Sequence, residues 1–265
     1  MPSAGNRPAL IEFKMVIRLI LLMQENMLLP GIFAFDTAVW VMPDNALVIA
    51  DLHLGIEEMY NRQGVLLPRF NFSEIKKALE ERIFPHVQPE TIIINGDLKH
   101  EFGGISEQEW REVTEILELL EKRCQKILLI QGNHDKILGP IAGRKNIAVE
   151  KEGVLLEGSL AFVTHGERVP QSPAFKKAKT VIIGHEHPAI SLRERYKREQ
   201  FKCFLVGKCG RKSLVVQPSM CAASTGSDVR ESRLLSPFLE KGASDFTAFA
   251  VADRIYNFGK IRGLE

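Results

Sequence analysis

The chain has 265 residues, of which 45% are hydrophobic, and carries 35 basic against 33 acidic side chains. A chain of this length and apolar content can bury one substantial core, so a single α/β domain is expected. The net charge of +2 gives no overall signal for nucleic-acid binding, although a local basic patch could still provide it. The four cysteines form no Cys-x-x-Cys pair, which argues against structural zinc and indicates a reducing, cytoplasmic setting.

The first 30 residues differ in character from the rest. Met15–Met23 is an apolar run that Arg18 interrupts, and it is too short to cross a bilayer. A signal peptide would require a cleavage site with small residues soon after this run, and none follows it. We therefore predict no membrane association, an N-terminal extension or short helix over residues 1–30, and a single domain over residues 31–265.

Buried strands and amphipathic helices alternate through the first half of the chain. Continuous apolar runs predict strands at Ala46–Ala50, Thr91–Ile94 and Lys126–Ile130. After the first run, Ser73 is predicted to cap a helix that ends before Pro85. The apolar positions of that helix are Ile75, Leu79 and Ile83.

The helix before the third run has a stronger start signal. Ser106 and Glu109 have the spacing of a capping box. One face of the helix that they open is apolar, with Trp110, Val113, Leu117 and Leu120.

The second half of the chain predicts strands with few helices between them. The predicted strands are Val154–Leu156, Leu160–Val163, Val181–Ile183, Cys203–Val206, Leu214–Val216 and Phe246–Ala252. The order of elements predicts an α/β fold built as a two-sheet β-sandwich flanked by helices.

A polar segment of metal-ligand type follows each of five predicted strands. These segments are Asp51-Leu52-His53, Gly96-Asp97, Gly132-Asn133-His134-Asp135, His165-Gly166 and Gly184-His185-Glu186-His187. In open α/β folds, ligands bind just beyond the carboxyl ends of strands, so we expect these segments to meet at one edge. Each motif alone is weak, since Asp-x-His and Gly-Asn are common in turns. Their joint occurrence, with five of the chain's seven histidines among them, points to a metal site.

The spacing within these segments suits cation binding. Alternate residues of an extended segment project to the same side, so Asp51 and His53 could reach one cation, as could His185 and His187. Asp97 has two oxygens that could bridge two cations, and the amide oxygen of Asn133 is a neutral donor. Imidazole, carboxylate and amide without thiolate suit Mn, Fe or Zn better than Mg or Ca.

The motif series DLH, GDLKH, GNHD, THG and GHEH, running from Asp51 to His187, resembles the calcineurin-like metallophosphoesterases. Within that family, ADLHLG, GDLKHEFGG and GHEHP are similar to the archaeal phosphoesterases related to the SbcD-type repair nucleases. The long capping domain of those nucleases has no obvious counterpart in this sequence. The resemblance implies a calcineurin-like phosphoesterase fold for residues 31–265 and a metal-dependent hydrolase acting on phosphate esters.

The resemblance also implies a role for each matching position. One divalent cation would be held by Asp51, His53 and His187, and a second by Asn133, His165 and His185, with Asp97 bridging the two. His134 would be a catalytic residue that is not a ligand, with Asp135 as its orienting partner. The residue three after the bridging aspartate is often acidic in the family. Here it is His100, which we expect to contact substrate. Mn²⁺ is the first expectation for both cations, with Fe or Zn as alternatives.

The mechanism that follows is in-line attack on phosphorus by a hydroxide held between the two cations. His134 would donate a proton to the leaving oxygen or stabilise its charge. The predicted function is a phosphodiesterase or nuclease. A phosphatase or cyclic phosphodiesterase acting on a small metabolite is the first alternative. A non-catalytic scaffold is the second, although a scaffold would be expected to lose the histidine of GNHD.

The prediction of a nucleic-acid substrate depends on one basic segment. Residues 193–212 contain eight basic and two acidic side chains, with Tyr196 and Phe201 among them. Such a segment could bind the backbone of single-stranded or double-stranded nucleic acid and stack a base. It could equally form a solvated hairpin between two strands.

Overall fold

The structure is a computed structural model that describes residues 23–101, 104–135, 147–194 and 197–264. The strands of the first sheet are β1 (Met27–Leu29), β2 (Ile32–Phe35), β3 (Ala38–Val41), β4 (Ala46–Ile49), β5 (Thr91–Asn95), β6 (Lys126–Ile130) and β7 (Ala148–Glu150). They lie in chain order across the sheet. Pairing is antiparallel from β1 to β4 and parallel from β4 to β7. The apolar runs predicted as buried strands are therefore the parallel centre of the sheet, where both faces are covered.

The second sheet contains the strands of the later half of the chain. They are β8 (Val154–Leu156), β9 (Ala161–Thr164), β10 (Thr180–Ile183), β11 (Pro188–Glu194), β12 (Lys197–Cys209), β13 (Lys212–Val216), β14 (Ser227–Asp228), β15 (Thr247–Val251) and β16 (Ile255–Lys260). The order is β14-β11-β12-β13-β10-β9-β8, and β15 pairs with both β12 and β16. Strands β9, β10 and β13 are parallel neighbours.

The helices are short and lie outside the sheets. They are α1 (Ile56–Arg62), α2 (Asn71–Lys77), α3 (Glu107–Glu121) and α4 (Pro173–Lys177). Helix α2 continues as a π-helix over Ala78–Ile83, and single-turn 3₁₀ helices occur at Met42–Asp44, Pro237–Leu239 and Ile261–Gly263.

Three apolar clusters hold these layers together. The middle cluster joins the inner faces of the two sheets, with Val48 and Ile93 packed in the same cluster as Ile182, Phe204 and Val215. The first outer cluster lies between the first sheet and the helices, and the second lies outside the second sheet around the Pro237–Leu239 turn. This arrangement confirms the predicted two-sheet α/β sandwich with helices outside.

The two predicted helix starts had different outcomes. The capping box is confirmed, because Ser106 Oγ accepts the Glu109 N–H while Glu109 Oε2 accepts the Ser106 N–H. The Ser73 cap is wrong, because the helix already begins at Asn71. Oε1 of Glu57, on the preceding helix, accepts the N–H groups of Phe70 and Asn71, so a distant carboxylate satisfies this helix terminus.

The first sheet begins earlier than the predicted domain boundary. Strand β1 at Met27–Leu29 pairs with β2, so these residues, which the sequence assigned to an extension, form the sheet edge. The apolar run at Met15–Met23 lies outside the described residues except for Met23. Among the residues that are described, no helix is long and apolar enough to cross a membrane.

Candidate metal centre and active site

The polar segments predicted from the sequence meet at one edge of the sandwich. Asp51 and His53 follow β4, and Asp97 follows β5. Beyond the strand ends these two loops remain paired, with Asp51 N–H donating to Gly96 O (3.1 Å) and His53 N–H to Asp97 O (2.9 Å). The pairing keeps a carboxylate and an imidazole from β4 beside the carboxylate from β5.

Five of the seven predicted ligands have left-handed backbone conformations. The φ angles are 55° at Asp51, 45° at His53, 50° at Asp97, 65° at His185 and 48° at His187. For a residue with a side chain, this conformation costs roughly 1–2 kcal/mol. Such strain persists where the surrounding structure enforces it, and it concentrates at functional sites. The cluster of five therefore marks this edge as a site.

The first predicted cation group is assembled in space. Single donor atoms of Asp51, His53 and His187 lie within 4.8 Å of one another. Nε2 of His53 is 3.3 Å from Nε2 of His187, which is itself 3.5 Å from Oδ1 of Asp51. That oxygen is buried and has no hydrogen-bond partner. A buried carboxylate oxygen without a donor fits a cation, which would satisfy it.

The second predicted group lies beside the first. Donor atoms of Asp97, His165 and His185 also lie within 4.8 Å of one another. Nε2 of His165 is 3.0 Å from Oδ1 of Asn133 and 3.2 Å from Nδ1 of His185. Oδ2 of Asp97 is 3.5 Å from His165 Nε2 and 3.8 Å from His53 Nε2. Asp97 thus lies between the two groups, where a bridging ligand is expected.

Two carboxylates at this site have opposite pKa shifts. Burial and the charge of Asp51 raise the pKa of Asp97 to about 8. Burial alone would raise the pKa of Asp51 as well, but the His187, His165 and His53 imidazoles outweigh it and lower the pKa to about 2. Asp97 is therefore hard to ionise while Asp51 is charged. A bound divalent cation would favour the ionised form of both carboxylates.

Two of the imidazoles, those of His53 and His185, are disposed to be neutral. Burial lowers the pKa of His185 to about 4 and that of His53 well below its usual range. Burial opposes a charge on His187 too, but Asp51 prevails and raises its pKa. A neutral imidazole presents a lone pair, which is the form that binds metals.

Two glycines let the segments approach this closely. A Cβ on Gly132 would lie 2.2 Å from Oδ1 of Asp97, and one on Gly184 would lie 2.6 Å from Oδ2 of Asp51. Neither distance is compatible with a side chain, so the glycines of GNHD and GHEH are required by packing against the carboxylates.

His134 lies beside the two groups, but its orienting partner differs from the prediction. Its Nδ1 faces the backbone carbonyl of His100 at 2.5 Å, and since a carbonyl can only accept, Nδ1 carries the hydrogen. The carboxylate of Asp135 instead accepts the N–H groups of Leu98 and Gly132, both at 3.1 Å. Asp135 thus holds the Asp97 loop and the GNHD turn together, because its buried oxygens take nearby backbone amides.

His100 completes a third imidazole group. It stacks on His134 with ring centroids 5.1 Å apart, and its Nδ1 is 3.3 Å from Nδ1 of His53. Single nitrogen atoms of His53, His100 and His134 lie within 4.8 Å of one another. His100 is half-buried at the rim of the site, and its role as a substrate contact stays a prediction.

Several supporting residues were not predicted from the sequence. Nδ2 of Asn71 donates to the carbonyls of Leu52 and His53, and Ser219 Oγ donates to Asp51 O. Both act on backbone atoms from distant parts of the chain, and a single Asn or Ser carries no pattern that could identify it. The ends of β13 and α2 therefore support the Asp51 loop without contributing to any motif.

A further support joins the GHEH and THG segments. Oε2 of Glu186 accepts the N–H groups of Leu235 and Ser236, and Ser236 Oγ donates to Gly166 O. The segment before the Pro237–Leu239 turn is thereby attached to both ligand loops of the second sheet.

Comparison with known proteins gives one match to a family model. Residues 45–167 match the family model described as calcineurin-like phosphoesterase. No curated protein matches the chain significantly. Among solved structures, the Pseudomonas putida nuclease MPE is similar, with a TM-score of 0.56 and 21% identity over 86% of this chain and 94% of that one. This likeness shows a shared fold.

Two further structures are similar with TM-scores of 0.34. A protein of unknown function from Aquifex aeolicus is 16% identical over 57% of this chain and 81% of that one. A single mutant of Vps29 from Entamoeba histolytica is 13% identical over 81% of this chain and 99% of that one. The segment matched by the family model covers just under half of the chain and contains DLH, GDLKH, GNHD and THG, the motifs that carry the resemblance to the calcineurin-like metallophosphoesterases.

Proposed function

We propose that the protein is a binuclear metal-dependent phosphodiesterase that cleaves nucleic acid. One observation supports it above the others: two groups of donor atoms lie side by side, with Asp97 between them. The similarity to a protein named as a nuclease makes nucleic acid the first substrate to test. The closer relation to the SbcD-type enzymes, the cytoplasmic location and the preference for Mn²⁺ remain predictions.

The proposed ligand assignment is the one that the resemblance implies, and the geometry of the two groups supports it. Asp51, His53 and His187 would hold one cation, and Asn133, His165 and His185 the other, with Asp97 shared. The buried, unpartnered Oδ1 of Asp51 and the mixed nitrogen and oxygen donors fit Mn, Fe or Zn. Two such cations, when bound, would polarise the phosphoryl oxygens and lower the pKa of the attacking water.

His134 is proposed to act on the leaving oxygen. Its Nδ1 hydrogen is held by the His100 carbonyl, so Nε2 is the atom that can carry a transferable proton. Burial lowers the pKa of His134, which favours the neutral ring in the absence of substrate. A phosphate brought beside the ring would raise that pKa, so that Nε2 could take a proton from solvent and then deliver it to the leaving oxygen. His100, stacked on His134, would contact the same phosphate.

A substrate panel tests the proposal. Protein supplemented with Mn²⁺ is assayed on bis-p-nitrophenyl phosphate, p-nitrophenyl phosphate and single-stranded DNA, with Asp97→Asn as the matched control. We expect the native protein to turn over the diester and the DNA and to bind two metal ions per chain. The Asp97→Asn variant should lose both activities and bind fewer metal ions. Turnover of the monoester alone would instead indicate a small-molecule phosphatase. Two bound metals without turnover of any substrate would indicate a scaffold.

A further inference from the structure

The basic segment recognised in the sequence divides into two parts with different surroundings. Strands β11 and β12 pair antiparallel, and on β12 Lys197 pairs with Glu199, and Arg198 with Glu231 at 2.7 Å. Nζ of Lys202 donates to the carbonyls of Ser219 and Cys221. These cations already have partners within the protein.

The second part lies at the β12–β13 turn and lines a groove. Its cations are Lys208, Arg211 and Lys212, and the groove adds Lys176 from α4 and Lys179 from the loop before β10. The groove encloses about 760 Å³, and no acidic residue lines it. Four of the five cations are exposed, Lys212 being half-buried. None of the five forms an ion pair within the described part of the chain.

The chemistry of the groove favours an extended anion. Nζ of Lys212 donates to the carbonyls of Lys176 and Ala178 and lies 5.2 Å from the centroid of the Phe175 ring. These contacts fix the floor of the groove and occupy the aromatic face, which leaves Lys176, Lys179 and Arg211 directed to solvent. Unpaired cations clustered on a chain of net charge +2 produce a local positive potential that attracts phosphates.

The groove and the metal centre lie at opposite ends of one strand. Thr180 and Val181, which begin β10, line the groove, whereas His185 follows the end of that strand. At about 3.3 Å per residue, Thr180 and His185 are about 16 Å apart. A small phosphate ester cannot contact both places, but a strand of about five nucleotides at 3.4 Å each spans that distance.

We propose that the groove is an accessory binding site for the phosphate backbone of single-stranded nucleic acid. It holds a part of the substrate that is remote from the bond being cut, and the inference rests on the proposed nuclease function. Recognition is expected to be independent of sequence, since Lys212 covers the face of the Phe175 ring and the exposed cations would contact phosphates rather than bases.

The test removes three exposed cations and keeps Lys208 and Lys212, whose ammonium groups donate to Ser213 Oγ and to backbone carbonyls. The groove variant is Lys176→Ala, Lys179→Ala and Arg211→Ala. The matched control removes three exposed lysines on the opposite side of the sandwich, Lys76, Lys77 and Lys122, also by alanine. Both are compared with the native protein in Mn²⁺ on a 30-nucleotide single strand and on bis-p-nitrophenyl phosphate. Fluorescence anisotropy measures binding of the labelled strand as salt is varied.

We expect the groove variant to raise KM for the 30-mer at least about tenfold and to leave its kcat unchanged. The kinetic constants for bis-p-nitrophenyl phosphate should not change. The salt slope of binding should weaken by about 2, since each phosphate contact on a single strand contributes roughly 0.7. The control should change neither quantity. Arg211→Glu provides a second variant on an exposed turn and should weaken binding in the same direction.

Three results would overturn the inference. They are equal effects of the groove and control variants, a matching rise of KM for the small diester, and competition by polyglutamate as strong as by an oligonucleotide. Failure of the proposed function has a different signature, namely no cleavage of any strand while the groove variant still weakens binding.

Discussion

Substituting alanine for Gly132 tests whether glycine in GNHD positions the carboxylate proposed to bridge the metals. The added Cβ would lie 2.2 Å from Oδ1 of Asp97 and 2.5 Å from its backbone nitrogen, against an ordinary contact of 3.4 Å or more. The carboxylate must therefore retreat by about 1.2 Å, and the backbone contact prevents a simple rotation. A displacement of about 1 Å at a reacting centre can cost about a hundredfold in rate.

We expect Gly132→Ala to lower kcat/KM for bis-p-nitrophenyl phosphate about a hundredfold, which corresponds to about 2.7 kcal/mol. Both cations should bind more weakly, because the displaced residue lies between the two groups. Initial rates over a Mn²⁺ titration and calorimetric binding measure the two effects. Gly184→Ala, with a Cβ 2.6 Å from Asp51 Oδ2, should cost less and affect mainly one cation.

Gly263→Ala is the matched control, because no atom lies within 4 Å of its added Cβ. It should retain native rates and metal binding. The reasoning would be refuted if Gly132→Ala kept its rate within about threefold, or if it lost activity only because it unfolds, as circular dichroism and the melting temperature would show.

Three further predictions concern the proton donor, the charge of the site and its support. His134→Ala should slow diesters with alkoxide leaving groups by 10²–10⁴-fold and p-nitrophenolate esters much less, because the better leaving group needs no proton; equal losses on a leaving-group series would exclude proton donation. Asp97, with its pKa raised to about 8, and His187, whose pKa is also raised, keep protons that the unfolded chain has released by pH 7. That contribution to stability is present at lower pH and is lost as pH rises, so thermal melts in EDTA should show a decline of about 1 kcal/mol per pH unit between pH 7 and 8. Melts in Mn²⁺ should not show it, and a flat EDTA profile would contradict the raised pKa. Asn71→Ala removes the donor to Leu52 O and His53 O and should weaken Mn²⁺ binding about tenfold by calorimetry, whereas Asn61→Ala, at the end of α1, should not.

The sequence predicts best where a signal is local. The apolar runs that became β4, β5 and β6 are continuous, and each ends in a polar segment, so the strands and the residues at their ends could be placed together. The capping box of Ser106 is likewise complete within four residues. Strands at the sheet margin, such as β1 and β14, are only two or three residues long and carry no such pattern.

Contacts between residues far apart in the chain could not be predicted from the sequence. Helix α2 begins at Asn71 rather than at Ser73 because Glu57 accepts from its first amides, 14 residues away in sequence. Asp135 was predicted to orient its neighbour His134, but its buried carboxylate binds the amide of Leu98, 37 residues earlier. The His134 ring is oriented by a backbone carbonyl. Every residue has such an acceptor, so no sequence motif indicates which carbonyl binds the ring.

The left-handed conformations at Asp51, His53, Asp97, His185 and His187 bear on how this protein could change over generations. Glycine tolerates that conformation better than aspartate or histidine do. A mutation that replaces one of these five by glycine would thus relieve local strain while abolishing a donor atom. A lineage released from selection for catalysis could drift toward a sturdier, inert descendant by the same substitutions. Each of these five positions therefore presents a donor atom at the expense of local backbone stability.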